Sequence, residues 1–173
     1  MHFRYVRLQA PAHALDTLVE FYGERLELPG LRIGETQLEL APGEGEPFYH
    51  FAFLVPGNRF DAALEWIGER AKLLPDRETG ELVFDFENWD AQGCYFQDPA
   101  GNIVELTAHH GIGRTEAAGP FSGAELLGFS ELGLVGTGPR WPACSGWSCG
   151  CRSGRERSRR RTGWRSSASR AGR

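Results

Sequence analysis

The sequence predicts an α+β fold made of tandem β-α-β-β-β units, and three observations carry that prediction. The chain overlays on itself without a gap. "YVRLQAPAHALDTLVEFYGERLEL" from Tyr5 lies over "HFAFLVPGNRFDAALEWIGERAKL" from His50 at an offset of 45, matching Pro11 to Pro56, Asp16 to Asp61, Glu20 to Glu65 and Gly23-Glu24-Arg25 to Gly68-Glu69-Arg70. The stretch "EPFYHFAFLVP", Glu46 to Pro56, alternates with period two, the mark of a strand with one face in a core. Near the end of the second copy "DPAGN" joins two further apolar runs, with Pro99 presetting a turn and Gly101 and Asn102 suited to left-handed backbone.

In order, each copy reads as a strand, a proline-marked turn and an amphipathic helix. The helices present Leu15, Leu18, Val19, Tyr22 and Leu26 in the first copy and Phe60, Ala63, Leu64, Ile67 and Ala71 in the second, at three- and four-residue spacing. The second copy continues with strands "ELVFDF", "GCYFQ" and "NIVEL". In the first, "TQLEL" matches "NIVEL" and sets Glu39 on Glu105 at an offset of 66, so the first copy is 21 residues shorter between helix and last strand and lacks about one hairpin. The expected divisions are 1–45 for a shortened first unit, 46–110 for the second, 111–136 for a linker with the opening strand of an unfinished third unit, and 137–173 for a basic disordered tail.

Composition divides the chain at the same place. Of 173 residues, 40% are hydrophobic and 24% charged, ordinary values for a soluble protein. The net charge of −4 conceals a split: Met1 to Gly136 holds 9 basic and 22 acidic residues, whereas Thr137 to Arg173 holds 10 and 1. No apolar run reaches the roughly 18 residues of a membrane helix, and the N-terminus lacks a signal-peptide pattern, so a cytoplasmic location and no membrane partner are expected. Cys144, Cys149 and Cys151 lack the paired spacing and the histidines of a zinc site.

A tandem β-α-β-β-β pattern with a histidine opening the unit and "YFQDPAGNIVEL" closing it resembles the vicinal oxygen chelate superfamily, which includes glyoxalase I, bleomycin-resistance proteins and extradiol dioxygenases. The resemblance covers Met1 to about His110 and is closest from Phe48 on. It implies that the mixed sheet curls into a cup with ligands on its concave face, and that the first and last strands of each unit supply metal ligands. Carried over by position, these are Tyr5 and Glu39 from the first unit and His50 and Glu105 from the second.

A phenol is a poor ligand in place of histidine, because its reference pKa is about 10. The implied metal set is therefore Glu39, His50 and Glu105, with Glu105 and Glu39 as candidate catalytic carboxylates and a divalent ion (Zn, Ni, Mn or Fe) as cofactor. An extradiol-type iron site, with two histidines and one carboxylate, is not supported; His2 lies an odd number of residues from Tyr5 and faces the helix. The implied chemistry is a metal-dependent lyase or isomerase reaction on a small oxygenated substrate. Two alternatives stay open: a metal-free cup for a hydrophobic or planar small molecule, lined by Tyr5, Phe48 and Trp89, or an inactive domain. His109 and His110 read as surface residues at a strand end, Cys94 as a small buried side chain, and "DRETGE" as a solvated loop.

Beyond the second unit, "GAELLGFSELGLVG" reads as a third opening strand, with Glu131 where His50 and Tyr5 fell. The expected helix does not follow. Read as a genuine tail, the basic segment would suit a polyanion such as nucleic acid, through Arg159, Arg160, Arg161 and Trp164. The preferred reading is a shifted frame in a GC-rich gene, for the chain holds one lysine, Lys72, against 18 arginines. Nucleic acid is then not a partner. An unfinished unit would leave Leu126, Leu127, Leu132 and Leu134 uncovered and promote self-association.

Overall fold

The computed structural model describes residues 3–133. Expectations for His2, Leu134 and the segment 137–173 lie outside the described residues. The first unit runs β1 (Tyr5–Ala10), α1 (Leu15–Glu20) with a π-helical continuation over Phe21–Arg25, β2 (Arg32–Ile33) and β3 (Thr36–Pro42). The second runs β4 (His50–Leu54), α2 (Phe60–Gly68), β5 (Leu73–Leu74), β6 (Phe84–Phe86), β7 (Ala91–Gln97) and β8 (Ile103–His109). A last strand, β9 (Gly128–Leu132), follows a 3₁₀ turn at Gly123–Glu125.

The pairing repeats with the sequence. In each unit the strand before the helix lies parallel to the unit's last strand, β1 against β3 and β4 against β8. The smaller sheet has the order β1-β3-β2; the larger has the order β5-β7-β8-β4-β9, with β6 also paired to β7. Two strands follow α1, and β2 is only two residues long. The mixed sheets are open and covered by few helices, an α+β arrangement with β-α-β-β-β connectivity clearest in the second unit.

Alternation decides what enters the core. Val6 and Leu8 on β1, Phe51 and Phe53 on β4, and Val104 and Leu106 on β8 are all buried, and they join Tyr22, Leu26, Ile67, Cys94 and Phe96 in one cluster shared by both units. Each such side chain contributes about 1.5–3 kcal/mol on leaving water. The helix faces differ from their periodic reading in two places. Val19 is 47% exposed while Phe21 is buried, because α1 turns its 18-21-22 row inward and Phe21 and Tyr22 pack edge to face at 5.2 Å. On α2, Trp66 is buried against Phe121 at 5.3 Å, while Leu64 is only half-buried.

The "DPAGN" turn is a closed network. Asp98 Oδ1 accepts from the Ala100 and Asn102 backbone amides, and its Oδ2 accepts from the Tyr22 hydroxyl at 2.8 Å and Asn102 Nδ2 at 2.7 Å. Asn102 Oδ1 in turn accepts from the Tyr49 amide at 2.9 Å, which ties the turn to the start of β4. Of the two residues suited to left-handed backbone, Gly101 alone adopts it, at φ +82°.

The stretch read as a linker is packed. Ser122 and Glu125 form a reciprocal cap, and Arg59 holds Glu125 at 2.9 Å while also donating to the Gly119 and Pro120 carbonyls. Phe121 and Leu126 are buried as a result, which corrects the expectation that Leu126 is uncovered. The reason lies in the backbone path: Gly123 lies so close to the Leu26 carbonyl that the segment folds over the first unit, and the Glu35 amide donates to the Leu127 carbonyl. Leu127 and Leu132 are half-buried.

Candidate functional site

Period-two alternation that buries Phe51 and Phe53 places His50 and Ala52 on the opposite face of β4. Parallel register then sets Ala52 against Glu105 of β8, antiparallel register sets Glu105 against Tyr95 of β7, and β9 sets Glu131 against Ala52. The result is a row across four strands, Tyr95–Glu105–Ala52–Glu131, with His50 beside it. Ala52 is the only apolar position in the row.

His50 Nε2 stands 3.4 Å from Glu105 Oε2. The Glu105 side chain is 7% exposed and the His50 side chain 45%, so the carboxylate is sheltered and the imidazole open to a ligand. Thr107 donates to Glu105 Oε1 at 2.7 Å and fixes the carboxylate plane. A methyl group at Gly93 would come within 2.9 Å of both Glu105 Oε1 and the Phe86 ring, so glycine there leaves the carboxylate its space. Tyr95 packs its ring 5.8 Å from that of His50 and edge-on to Phe84 at 4.9 Å.

These neighbours set the charges. The hydrogen bond to Glu105 raises the His50 pKa above its ordinary value, against the opposing effect of burial, and the charges of Glu105 and Glu131 add to the rise. Burial, then the charge of Glu105, raises the Glu131 carboxyl, while His50 and His109 pull it down. Burial also keeps the Tyr95 phenol protonated, with Glu105 acting in the same sense. Cys94 lies on the opposite, core-facing side of β7 and is pushed up to about 12 by burial, which removes it as a nucleophile.

Of the three residues expected to share a metal, the structure brings His50 and Glu105 together. Glu39 is on β3 of the smaller sheet, where Arg7 Nε lies 3.2 Å from its Oε1 and the Tyr5 hydroxyl donates to its Oε2. The reason is the sheet partnership: β4 takes β9, not a strand of the first unit, as its antiparallel neighbour. Among the described residues no group of three or more His, Cys, Asp or Glu side chains is arranged to hold a metal ion. Of the expected set, His50 and Glu105 are therefore neighbours, and Glu39 lies on the other sheet.

The residues expected to line a substrate pocket are exposed and separate. Tyr5 is on β1, Phe48 precedes β4, and Trp89 sits on the turn before β7, packed on Phe86 at 5.6 Å. His109 Nδ1 lies 3.1 Å from the Trp89 carbonyl and His110 Nδ1 3.0 Å from Asp90, so both are engaged at the strand end. An open recess of about 360 Å³ lies along α1, lined by Thr17, Glu20, Phe21, Glu24, Arg25 and Pro99, away from His50. Sequence reasoning missed Tyr95 and Thr107, although both share the alternation of their strands with Gly93 and Glu105. It marked Glu131 by its place in the repeat but not as a neighbour of His50.

No protein-family model matches the chain, and no curated protein matches it. Solved structures similar to it include a glyoxalase/dioxygenase from Nostoc punctiforme, at 22% identity over 61% of this chain and 89% of that one, TM-score 0.43. Lactoylglutathione lyase from Agrobacterium tumefaciens is similar at 20% identity over 65% and 97%, TM-score 0.45. The fosfomycin resistance protein FosX from Mesorhizobium loti is similar at 16% identity over 62% and 89%, TM-score 0.38. With its helix-crossed parallel strand pairs, antiparallel meander and open mixed sheets, the chain over residues 3–133 has an α+β fold built on the β-α-β-β-β pattern expected from its repeat.

Proposed function

We propose that this chain is a glyoxalase-like domain that binds a small oxygenated molecule at the His50–Glu105 pair and moves a proton on it, as a lyase or isomerase does. The observation that carries this reading is a sheltered carboxylate 3.4 Å from a half-open imidazole on the polar face of the larger sheet. His50, its proton favoured by Glu105, donates to a ligand oxygen. Glu105, held in plane by Thr107, compensates the charge that develops on the imidazole, and Glu131 is the second carboxylate within the row. Tyr95 and Phe84 supply an aromatic flank.

A metal-dependent form is the second reading, and one feature favours it. Burial and then the charge of Glu105 raise the cost of ionising Glu131 across Ala52, with His50 and His109 acting against them, and a divalent ion would neutralise that crowding. His50 and Glu105 would hold it, with Glu131 in the place first assigned to Glu39; Zn, Ni, Mn and Fe all suit such a set by ligand type. When bound, the ion supplies Lewis-acid polarisation of a chelating oxygen pair. A metal-free binding domain of the bleomycin-resistance kind uses the same face. A cytoplasmic location belongs to this reading as well; among the described residues no helix is long and apolar enough to cross a membrane.

Calorimetric titration separates these forms. Protein purified without chelators is titrated with Zn²⁺, Ni²⁺ and Mn²⁺, and separately with a catechol and an α-hydroxyketone. Binding of an oxygenated probe that is lost in His50→Ala and Glu105→Gln supports the proposed site. Binding unchanged in both variants, with both folded by circular dichroism, contradicts it. Metal uptake lost in Glu131→Gln but kept in Glu39→Gln selects the metal-dependent form with the revised ligand.

A further inference from the structure

The polar face of the larger sheet changes character from one flank to the other. Phe84 and Phe86 of β6 share it with Tyr95, because Phe84 pairs with Gly93 and Phe86 with Ala91 on β7. Phe84 meets Tyr95 edge-on at 4.9 Å, Tyr95 reaches the His50 ring at 5.8 Å, and Phe86 packs on Trp89 at 5.6 Å. Phe84, Phe86 and Tyr95 are half-buried and Trp89 is exposed, so one flank is lined by rings that keep contact with solvent. On the other flank stands the exposed Glu131 of β9. Ala52, the smallest side chain of the row, separates it from Glu105. Strands lie roughly 4.8 Å apart, so Glu105 and Glu131, two strands from one another, start from backbone positions about 10 Å apart.

One sign of charge is in excess on this sheet. Its strands, β4 to β9, contain Asp85, Glu105 and Glu131 and no lysine or arginine. His50 offsets Glu105, the carboxylate it faces at 3.4 Å, and Glu131 is the second negative group of the row. Glu105 also has acceptor capacity to spare. Its side chain is 7% exposed, and its neighbours among the described residues are the Thr107 hydroxyl, the His50 imidazole and the Tyr95 phenol. An ionised carboxylate offers about four lone-pair positions, so a further donor is accommodated there. Aromatic rings beside excess carboxylate are the chemistry that recognises an organic cation, since the ring faces attract positive charge and the carboxylates pair with an ammonium. The same field repels an anion.

We propose that the ligand of this face is an aryl amino alcohol or aryl amino ketone, its protonated amine held by Glu131, its oxygen on His50 and its ring against Phe84 and Tyr95. The order of groups follows the order of strands: aromatic on β6 and β7, carboxylate and imidazole on β8 and β4, second carboxylate on β9. A bare divalent ion would satisfy the carboxylates and leave the aromatic flank without a use. A neutral planar molecule would leave Glu131 without one. The assignment names the substrate class of the ligand site proposed above and rests on that reading.

Calorimetry on the full chain at pH 7 and low salt compares three matched probes: 2-amino-1-phenylethanol, which is cationic, 1-phenyl-1,2-ethanediol, which is neutral, and mandelate, which is anionic. The amine is expected to bind about tenfold more tightly than the diol, and mandelate more weakly than either. In Glu131→Gln the amine-to-diol ratio is expected to fall to near one. In Phe84→Leu, which keeps bulk and loses the ring, the amine is expected to lose affinity severalfold. A ratio near one in the wild type, mandelate binding as tightly as the amine, a preference that survives in folded Glu131→Gln, or full amine affinity in Phe84→Leu would overturn the proposal. Should a variant fail to fold, the order of the three probes on the wild type decides it. A ratio near one with diol binding still lost in His50→Ala removes the cationic class and leaves the ligand site standing, whereas absence of binding by all three probes removes both.

Discussion

Single residues in this chain carry distinct kinds of constraint. Asp98 is spent on structure: it accepts from two backbone amides, the Tyr22 hydroxyl and the Asn102 side chain, all within a turn that also anchors β4. Asp98→Ala leaves several of these buried donors unpaired and is expected to cost about 3 kcal/mol, whereas Tyr22→Phe, which removes one bond and keeps the packing, costs about 1 kcal/mol. Urea midpoints at pH 7 check both, and equal losses would refute the network. Gly93 is constrained by the site. In Gly93→Ala the new methyl meets Glu105 Oε1 and the Phe86 ring, so probe binding is expected to fall while the fold persists with a penalty of about 1–3 kcal/mol. Binding at the wild-type level would show that the carboxylate has room to spare.

At the scale of elements, what could be read ahead depended on whether a local period decided it. Strands β4, β7 and β8 were legible because alternation of period two fixes their faces, and the same alternation correctly separated His50 and Glu105 from Phe51, Phe53, Val104 and Leu106. That β4 and β8 are neighbours was implied only by the family resemblance, which puts ligands on each unit's first and last strands; the repeat by itself pairs no strands. The exposure of Val19 was not: the choice between the 15-18-19-22 and 18-21-22 rows is made by Phe21 and Tyr22 packing together and by the π-helical turn that follows. Glu39 lies on the smaller sheet, away from the His50 row, for a tertiary reason. Its own strand and pairing follow the repeat, but which strand lies on the far side of β4 is a tertiary choice, and β9 takes that position.

The attachment of β9 is accordingly testable. Phe129 is buried among Phe51, Phe53 and Phe3, and Phe129→Ala is expected to cost about 3–5 kcal/mol. If β9 were a loosely laid appendage the urea midpoint would barely move. Amide exchange adds a local check: the Leu127 and Gly133 amides, bonded to the Leu54 and His50 carbonyls, should be protected together and lose protection together in the variant.

For the molecule as a whole, the charge of the site makes stability depend on pH. The folded-state pKa of His50 is raised, so its pairing with Glu105 stabilises fully below the unfolded value of about 6.5 and is lost as pH rises through the raised folded value. The wild type should therefore exceed His50→Gln in urea midpoint by more at pH 6 than at pH 9. A difference independent of pH would mean that His50 contributes only packing. Glu131 faces the same region with its carboxyl raised by burial and by Glu105, so at neutral pH its ionised form is a cost, and Glu131→Gln should raise the midpoint there.

The central claim is that His50 and Glu105 act as one unit on the polar face of the larger sheet. Its most direct measurement is an NMR titration of the His50 ring in the wild type, Glu105→Gln and Glu131→Gln. The expected result is a pKa above 6.5 in the wild type, a pronounced drop on loss of Glu105 and a smaller drop on loss of Glu131. The same value in the wild type and Glu105→Gln would contradict the pairing from which the functional account is built.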